Sequence, residues 1–196
     1  MDLQQLLAGP MGQQVTGMVS QQLGINEEQA QAAINFAVPT LLNGLAKNTQ
    51  TQQGADALYN AVTTDHNGSG LGNLMGLIQS GLGGDGAGIL GHILGGSEGG
   101  VQNAVSQVAG IDPQQAGNLL QMVAPVLMSV LGNTQQSQGL DAGGLAGLLG
   151  NIVSNQQQAA PQQQGFISQL LDQNHDGSVV DDAMRIGMNV LGGLFK

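Results

Sequence analysis

Residues 26–47, N-E-E-Q-A-Q-A-A-I-N-F-A-V-P-T-L-L-N-G-L-A-K, determine how this chain folds. Their apolar side chains recur every three or four residues, which predicts one long helix with a single apolar face. Asn26 is the predicted N-cap, because its side-chain oxygen can accept a hydrogen bond from the N–H of Gln29 while Gln29 reaches back. Glu27 and Glu28 follow in the first turn, where the helix dipole favours negative charge.

The same pattern occurs again after a shift of 86 positions, which carries Asn26 to Asp112. Asp112 takes the cap position, and Pro113 takes the first helical position, where its missing N–H leaves no hydrogen bond unmade. The apolar face then repeats position for position as far as Leu131. The sequence therefore predicts an internal duplication and an all-α fold, a duplicated helical bundle.

Pro39 and Pro125 occupy equivalent positions in the two predicted helices. A proline inside a helix removes one hydrogen bond and crowds the preceding turn, so each helix is predicted to be kinked there. Two interpretations are open: the kinks bend the helices around a shared core, or they open a binding groove. In either case the two Pro-kinked helices are expected to be related by a pseudo-two-fold axis.

The composition excludes several classes of function. The 196 residues include 3 basic and 13 acidic side chains, for a net charge of −10. That balance argues against binding to nucleic acid or to anionic lipid, which both require Lys and Arg. The chain has no cysteine, which removes thiol catalysis and thiolate metal sites. Only 8% of residues are charged, and such a surface tolerates self-association.

No targeting signal or membrane span is apparent. The first residues lack a basic region followed by an apolar run, so a secretory signal is not expected. No stretch approaches about 18 uninterrupted apolar residues, so a spanning helix is not expected either. A cytoplasmic location is the default expectation.

The chain divides into five predicted regions, none of which shows the alternation of a β-strand. They are a first helical repeat at 1–80, a Gly-rich linker at 81–100, a second helical repeat at 101–154, a Gln-rich spacer at 155–164 and a C-terminal helix–loop–helix at 165–196. The linker contains a short helical island at 89–94. Further helices are predicted at 12–23, 51–63, 71–82 and 139–153.

The best candidate for a ligand site is the stretch D-Q-N-H-D-G-S at 172–178, which matches the first half of a calcium loop. The candidate calcium ligands are Asp172, Asn174, Asp176, the carbonyl of Ser178, and Asp182, with Asp181 in reserve. The late bidentate carboxylate of an EF-hand is missing, because Ala183 stands at that position. Two interpretations remain open, a calcium site of altered geometry and a metal-free turn.

A degraded copy of this loop lies 109 positions earlier, where His66 corresponds to His175. Thr63 replaces the first aspartate, so strong metal binding is not expected there. The recurrence favours a structural helix–turn–helix device. Catalysis has little support, because His66, His92 and His175 are scattered and no motif of a metalloprotease, a serine hydrolase or a P-loop is present. The chain is therefore predicted not to be an enzyme.

Two motifs carry a resemblance to a known family. They are Val38-Pro39-Thr40-Leu41-Leu42 with its counterpart Ala124-Pro125-Val126-Leu127-Met128, and Asp65-His66-Asn67-Gly68-Ser69. With the Gly and Gln bias, they resemble a bacterial family called domain of unknown function nine-thirty-seven, to which YidB-like proteins are related. The resemblance covers most of 14–153 and implies neither a reaction nor ligand residues. The loop at 172–178 separately resembles EF-hand and dockerin loops.

The preferred interpretation is a non-enzymatic helical module that binds a protein partner or self-assembles as a homo-oligomer. A second is a calcium-responsive protein in which the last loop controls the C-terminal helices. The alternative is a carrier of a small apolar ligand between kinked helices. A pocket lined only by apolar atoms would favour the carrier, and a flat exposed apolar patch would favour the interaction module.

Overall fold

The computed structural model describes residues 9–65 and 74–159, and this part of the chain is all-α. Its α-helices are α1 (Pro10–Leu23), α2 (Glu27–Asn48), α3 (Gln52–Asn60), α4 (Leu74–Ser80), α5 (Gly86–Leu94), α6 (Glu98–Ala109), α7 (Pro113–Gln138) and α8 (Ala142–Ala159). Short π-helical segments at Ala61–Asp65 and Gly81–Asp85 extend α3 and α4, and a 3-10 turn at Gly95–Ser97 precedes α6. The predicted all-α class is thus confirmed.

Helix α2 begins with the predicted capping box. The Asn26 side chain accepts from the N–H of Gln29 at 2.8 Å, and the Gln29 side chain accepts from the N–H of Asn26 at 3.2 Å. Glu27 and Glu28 lie in the first turn and Lys47 in the last, which matches both ends of the helix dipole. More than half of the helix is buried in the core, while Gln31 and Asn35 remain exposed on one face.

Helix α7 begins in the same way, with Asp112 at the predicted cap position. Asp112 accepts from the N–H of Gln114 at 2.8 Å, Gln115 accepts from the N–H of Asp112 at 3.0 Å, and Pro113 occupies the first turn. Gly139 ends the helix in the left-handed conformation, with φ of 61°. The buried run from Met122 to Gly132 is continuous, so α7 is surrounded on every side over three turns.

The N-terminus of each long helix is tied to the end of the short helix that precedes the other one. The Gln29 side-chain amide donates to the carbonyl of Gly110 at the end of α6, at 2.8 Å. The Gln115 amide donates to the carbonyl of Leu23 at the end of α1, at 3.1 Å. Each glutamine therefore closes its own capping box and also bonds a helix from the other half of the chain.

Pro125 leaves one backbone acceptor in α7 without its usual donor. Because proline has no N–H, the carbonyl of Gln121, four residues earlier, loses its helical partner. Gly81 and Gly86 pack directly on this carbonyl, since a Cβ atom on either glycine would overlap the Gln121 oxygen. A Cα–H group of each glycine points at the oxygen instead, which is the arrangement of weak Cα–H···O hydrogen bonds.

One hydrophobic core joins the described helices, and it is almost entirely aliphatic. Phe36 is the aromatic member, and the largest fully buried side chains are leucine, isoleucine and methionine. Thr40, next to Pro39, is fully buried, and its hydroxyl donates to the Phe36 carbonyl at 2.7 Å. Small side chains let the helices approach closely: a Cβ on Gly44 of α2 would lie 2.8 Å from the Ile93 side chain of α5.

Helices occupy much of the glycine-rich region at 81–100. The sequence predicts a helical island at 89–94, whereas the structure has helix from Gly86 to Leu94, with Leu90, Ile93 and Leu94 in the core. Helix α8 continues to Ala159, into the Gln-rich stretch. The chain stays helical through Pro39 and Pro125, and the predicted kinks stay predictions. Residues 1–8, 66–73 and 160–196 lie outside the described residues, as do the loop around His66 and the predicted C-terminal helix–loop–helix.

Candidate functional site

An open cleft lies where the end of α2 meets α3 and α5, and we call it the α2–α3–α5 cleft. Its volume is about 970 Å³. Four buried apolar side chains form its floor: Leu45, Leu58, Ile93 and Met128. Ala57, Ala61 and Ile89 line its walls, and the exposed polar residues Asn48, Thr51, Asp85 and His92 form its rim. The cleft therefore offers an apolar surface bordered by hydrogen-bonding groups.

Asn48 holds the two sides of the cleft together. It is the last residue of α2, and its side-chain amide donates to the carbonyls of His92 at 2.7 Å and Ile93 at 3.2 Å. Those carbonyls lie in the last turn of α5, where backbone acceptors lack helical partners. The Asn48 side chain of α2 thus supplies hydrogen-bond donors to carbonyls at the end of α5, and this contact fixes the separation of the cleft walls.

Thr51 positions the third wall. It is the N-cap of α3, and its hydroxyl accepts from the N–H of Gly54 at 3.1 Å. Gly54 is required by the tight turn between α2 and α3, because a Cβ there would overlap the Asn48 carbonyl. The short turn places α3 directly beside the end of α2, so that Ala57 and Leu58 face the cleft.

The ionisable groups of the cleft are His92 and Asp85. They lie seven residues apart on one helical segment, which corresponds to about 10 Å along a helix axis. Within 9–65 and 74–159, no group of three or more His, Cys, Asp or Glu side chains is placed to hold a metal ion. Across the same residues, no helix has both the length and the apolarity needed to cross a bilayer.

A second cavity, of about 730 Å³, lies between α1 and α2 and is polar. Glu27, Glu28 and Asn35 line it from α2. Its side chains bond to one another: the Thr16 hydroxyl lies 3.2 Å from the Gln31 side-chain oxygen, and the Gln31 amide donates to Asn35 at 2.9 Å. Polar and charged side chains thus form most of the lining of this cavity, whereas buried apolar side chains form the floor of the α2–α3–α5 cleft.

The calcium ligands predicted from sequence lie outside the described residues. These are Asp172, Asn174, Asp176, Ser178 and Asp182, so the calcium loop stays a prediction. The cleft itself was not predicted. His92 appears in the sequence as an isolated histidine, and the only signal at Asn48 is that Asn48-Thr49-Gln50 recurs as Asn133-Thr134-Gln135.

The fold and the cleft define the class as an all-α protein in which two long capped helices lie in one aliphatic core beside an open cleft. Within that class, the chain belongs to a bacterial protein family of unknown function, DUF937, which matches residues 5–134. The match includes α2 and most of α7, the helices that carry the two copies of the organising pattern. No curated protein and no solved structure matches the chain.

Proposed function

We propose that this protein is a non-enzymatic helical interaction module, and that its α2–α3–α5 cleft receives an amphipathic helix of a partner protein. The observation that supports this best is the form of the cleft, an apolar floor of four buried side chains inside a polar rim. An amphipathic helix places apolar residues on one face and polar residues on its flanks. Grooves of this form bind such helices through apolar anchors spaced at one helical turn.

The open form of the cleft favours a helix over a small molecule. Pockets for small ligands usually enclose most of the ligand surface. Here the cleft is open to solvent, and its rim residues Thr51 and Asp85 are exposed, so a small apolar ligand would remain partly wet. A helix can instead bury one face on the floor and leave the other face in water.

The charge of the chain indicates which helices would bind. The net charge is −10, and Asp85 is exposed on the rim of the cleft. Lys or Arg on the flanks of the partner helix would be attracted toward the cleft, which raises the rate of association more than the final affinity. We therefore expect a partner segment with apolar anchors and basic flanks.

The duplicated architecture is part of the same proposal. The two hydrogen bonds from Gln29 and Gln115 are reciprocal, because each joins a long helix to the short helix that precedes its counterpart. Both long helices also start with a capping box and contain one proline. These features support a pseudo-two-fold bundle in which neither half buries its apolar face alone.

A carrier of a small apolar ligand is the second candidate. It is favoured by the aliphatic floor of the cleft, where Leu45, Leu58 and Ile93 offer only carbon atoms. Native mass spectrometry of the protein purified from its own bacterium separates the two candidates. A carrier would retain a defined apolar adduct, whereas the interaction module would be free of one.

The interaction module is tested by photo-crosslinking in the native bacterium. A benzophenone amino acid replaces Ala57, which is exposed on the cleft wall, and in a control replaces Gln21, which is exposed on α1. We expect the probe at 57 to crosslink one helical segment of one protein, and the probe at 21 not to do so. Adding Ile89→Asp should abolish that crosslink, because it places a charge on the apolar wall. Equal labelling from both positions, or adducts only to lipid, would exclude the proposal.

A further inference from the structure

One wall of the α2–α3–α5 cleft is formed by α5 together with Asp85, the residue before it. Asp85, Gly88, Ile89 and His92 all line the cleft from this wall. Their positions are separated by three, four and seven residues, and this spacing places them on one helical face. The wall therefore has an uncharged centre, at Gly88 and Ile89, between a carboxylate at one end and an imidazole at the other.

The centre of this wall has no side chain at Gly88. A Cβ atom on Gly88 would meet nothing within 4 Å, and the same is true of Gly84, one turn earlier, which also lines the cleft. Gly84 has a φ of 121°, a conformation that residues with a side chain rarely adopt. Both glycines are exposed. They leave a depression in the wall beside Ile89, and we call it the Gly84–Gly88 notch.

Two other glycines of the same segment have a different environment. Gly81 and Gly86 pack on the Gln121 carbonyl of α7, where a Cβ atom would overlap the oxygen. Close packing on α7 thus accounts for these two glycines. It does not account for Gly88, whose missing side chain leaves space in the cleft and not a contact with another helix.

The opposite wall of the cleft also leaves room for a helix. Gly54, Ala57 and Ala61 line the cleft there, together with Leu58. Small side chains shorten the distance at which a second helix can pack. The residues of α3 that line the cleft include no ionisable side chain, so the charged contacts to a bound helix come from the α5 wall.

We propose that the partner helix in the cleft, which we call the guest helix, places a large apolar side chain in the Gly84–Gly88 notch. A Lys or Arg of the guest helix then lies about one turn away beside Asp85, and a hydrogen-bond acceptor lies about one turn away on the other side, beside His92. This inference rests on the proposed function of the cleft and defines which amphipathic helices fit it. A guest helix aligned with α5 presents these three side chains at i, i+3 or i+4, and i+7, which lie on one face.

The notch and the two ionisable residues contribute differently to recognition. A large side chain that fills a depression at the centre of an interface supplies much of the binding energy. Asp85 and His92 are exposed, so their pairs with the guest helix stay in water and are weak. Those pairs instead determine orientation, because a guest helix docked in the reverse direction would place its basic residue beside His92 and its acceptor beside the Asp85 carboxylate.

Filling the notch tests this arrangement in the photo-crosslinking experiment with the probe at position 57. Gly88→Ile adds a β-branched side chain, which has few rotamers and stays close to the wall. We expect crosslinking of the guest helix to fall at least about tenfold, as for the loss of a central anchor. Gly91→Ile is the matched control, because Gly91 is an exposed glycine of the same helix whose Cβ would also meet nothing within 4 Å, and it lies outside the cleft lining. It makes the same change in helix propensity and should leave crosslinking unchanged.

The sequence of the crosslinked segment, read by tandem mass spectrometry, tests the two polar contacts. It should contain a large apolar residue with Lys or Arg three or four positions to one side and Asp, Glu, Asn or Gln three or four positions to the other. Asp85→Lys should lower crosslinking at least about threefold, and reversing the charge of the basic residue in the partner should restore it. Asp56→Lys makes the same change in net charge at an exposed aspartate of α3 outside the cleft lining, and it should have no effect.

The outcomes separate this inference from the function on which it rests. A crosslink that is lost with Ile89→Asp but kept with Gly88→Ile would retain the cleft as the binding site and overturn the anchor in the notch. A segment without the expected spacing, or equal effects of Asp85→Lys and Asp56→Lys, would overturn the assigned polar contacts. No crosslink from position 57 in the otherwise natural chain would overturn both proposals.

Discussion

At the residue scale, Pro125 frees a backbone carbonyl in α7, and two glycines of another element pack on it. Pro125 deprives the Gln121 carbonyl of its helical donor, and an unpaired buried carbonyl is unfavourable. Gly81 and Gly86 are close enough to supply Cα–H groups because they have no side chain. The proline in one element and the glycines in another are thus one structural feature, although about forty positions separate them in the sequence.

Replacing Gly86 by alanine should therefore destabilise the protein. The new methyl group would overlap the Gln121 carbonyl, which belongs to the backbone of α7 and cannot move aside easily. We expect the free energy of unfolding to fall by about 1–3 kcal/mol, as for other overpacked sites. Urea unfolding followed by circular dichroism measures the change.

Gly91→Ala is the matched control, in the same helix. A Cβ at Gly91 meets nothing within 4 Å, so the substitution should only remove the helix penalty of glycine and stabilise by about 1 kcal/mol. If Gly86→Ala is as stable as Gly91→Ala, the close approach to Gln121 does not hold the two elements together.

At the element scale, the long helices could be predicted in detail but their surroundings could not. The capping box at Asn26 and the cap residue Asp112 depend on neighbours in sequence, so local patterns identified them. Helix α5 was predicted only as an island, because its glycines weaken a helix and its stability comes from burying Leu90 and Ile93. The cleft depends on contacts such as Asn48 with His92, which are distant in sequence, and local patterns contain no information about them.

Gln29 and Gln115 each make both a local and a long-range contact. Each closes the capping box of its own helix and also donates to a helix in the other half of the chain. Glutamate at this position keeps the acceptor of the capping box and suits the helix dipole. It lacks the N–H that donates to Gly110 or Leu23. Gln29→Glu and Gln115→Glu should each lower the free energy of unfolding by about 1 kcal/mol, because a carbonyl loses its donor and faces a carboxylate.

Gln114→Glu is the control for these two variants. Gln114 is an exposed residue in the first turn of α7. Its replacement by Glu adds the same negative charge as Gln115→Glu, near the same end of the helix dipole. Its stability should be unchanged or slightly higher. If Gln115→Glu behaves like Gln114→Glu in thermal and urea unfolding, the cross-bundle hydrogen bonds contribute nothing measurable.

At the scale of the whole molecule, we expect self-association, which a surface with few charged residues tolerates. Val108 lies on the same stripe of α6 as Val101, Ala104 and Val105, which are buried, yet 52% of its surface is exposed. We expect a dimer or larger oligomer in which this end of α6 is covered. Sedimentation at micromolar concentration should show a species heavier than the 19.9 kDa chain, and Val108→Asp should weaken association by at least about tenfold, since it buries a charge.

Asn103→Asp controls for the added charge, because Asn103 is an exposed polar residue of the same helix. It should leave the sedimentation profile unchanged. A natural chain that sediments as a 19.9 kDa monomer at every concentration would contradict the expected association, and equal effects of the two variants would remove Val108 from the interface.

Calcium binding is the last prediction at this scale, and it rests on the sequence of residues 172–182. If Asp172, Asn174 and Asp176 bind calcium with the Ser178 carbonyl and Asp182, the three aspartate carboxylates repel one another until the ion neutralises them. Binding to the folded state then stabilises in proportion to the logarithm of calcium concentration, by about 2.7 kcal/mol at about 100 times the Kd. Thermal unfolding in millimolar calcium should therefore occur at higher temperature than in chelator.

Asp172→Ala should abolish that difference, whereas His175→Ala should preserve it, because His175 falls at a position of the loop that supplies no ligand. Identical melting curves in calcium and chelator, together with no heat of binding in calorimetric titration, would identify the loop as a metal-free turn.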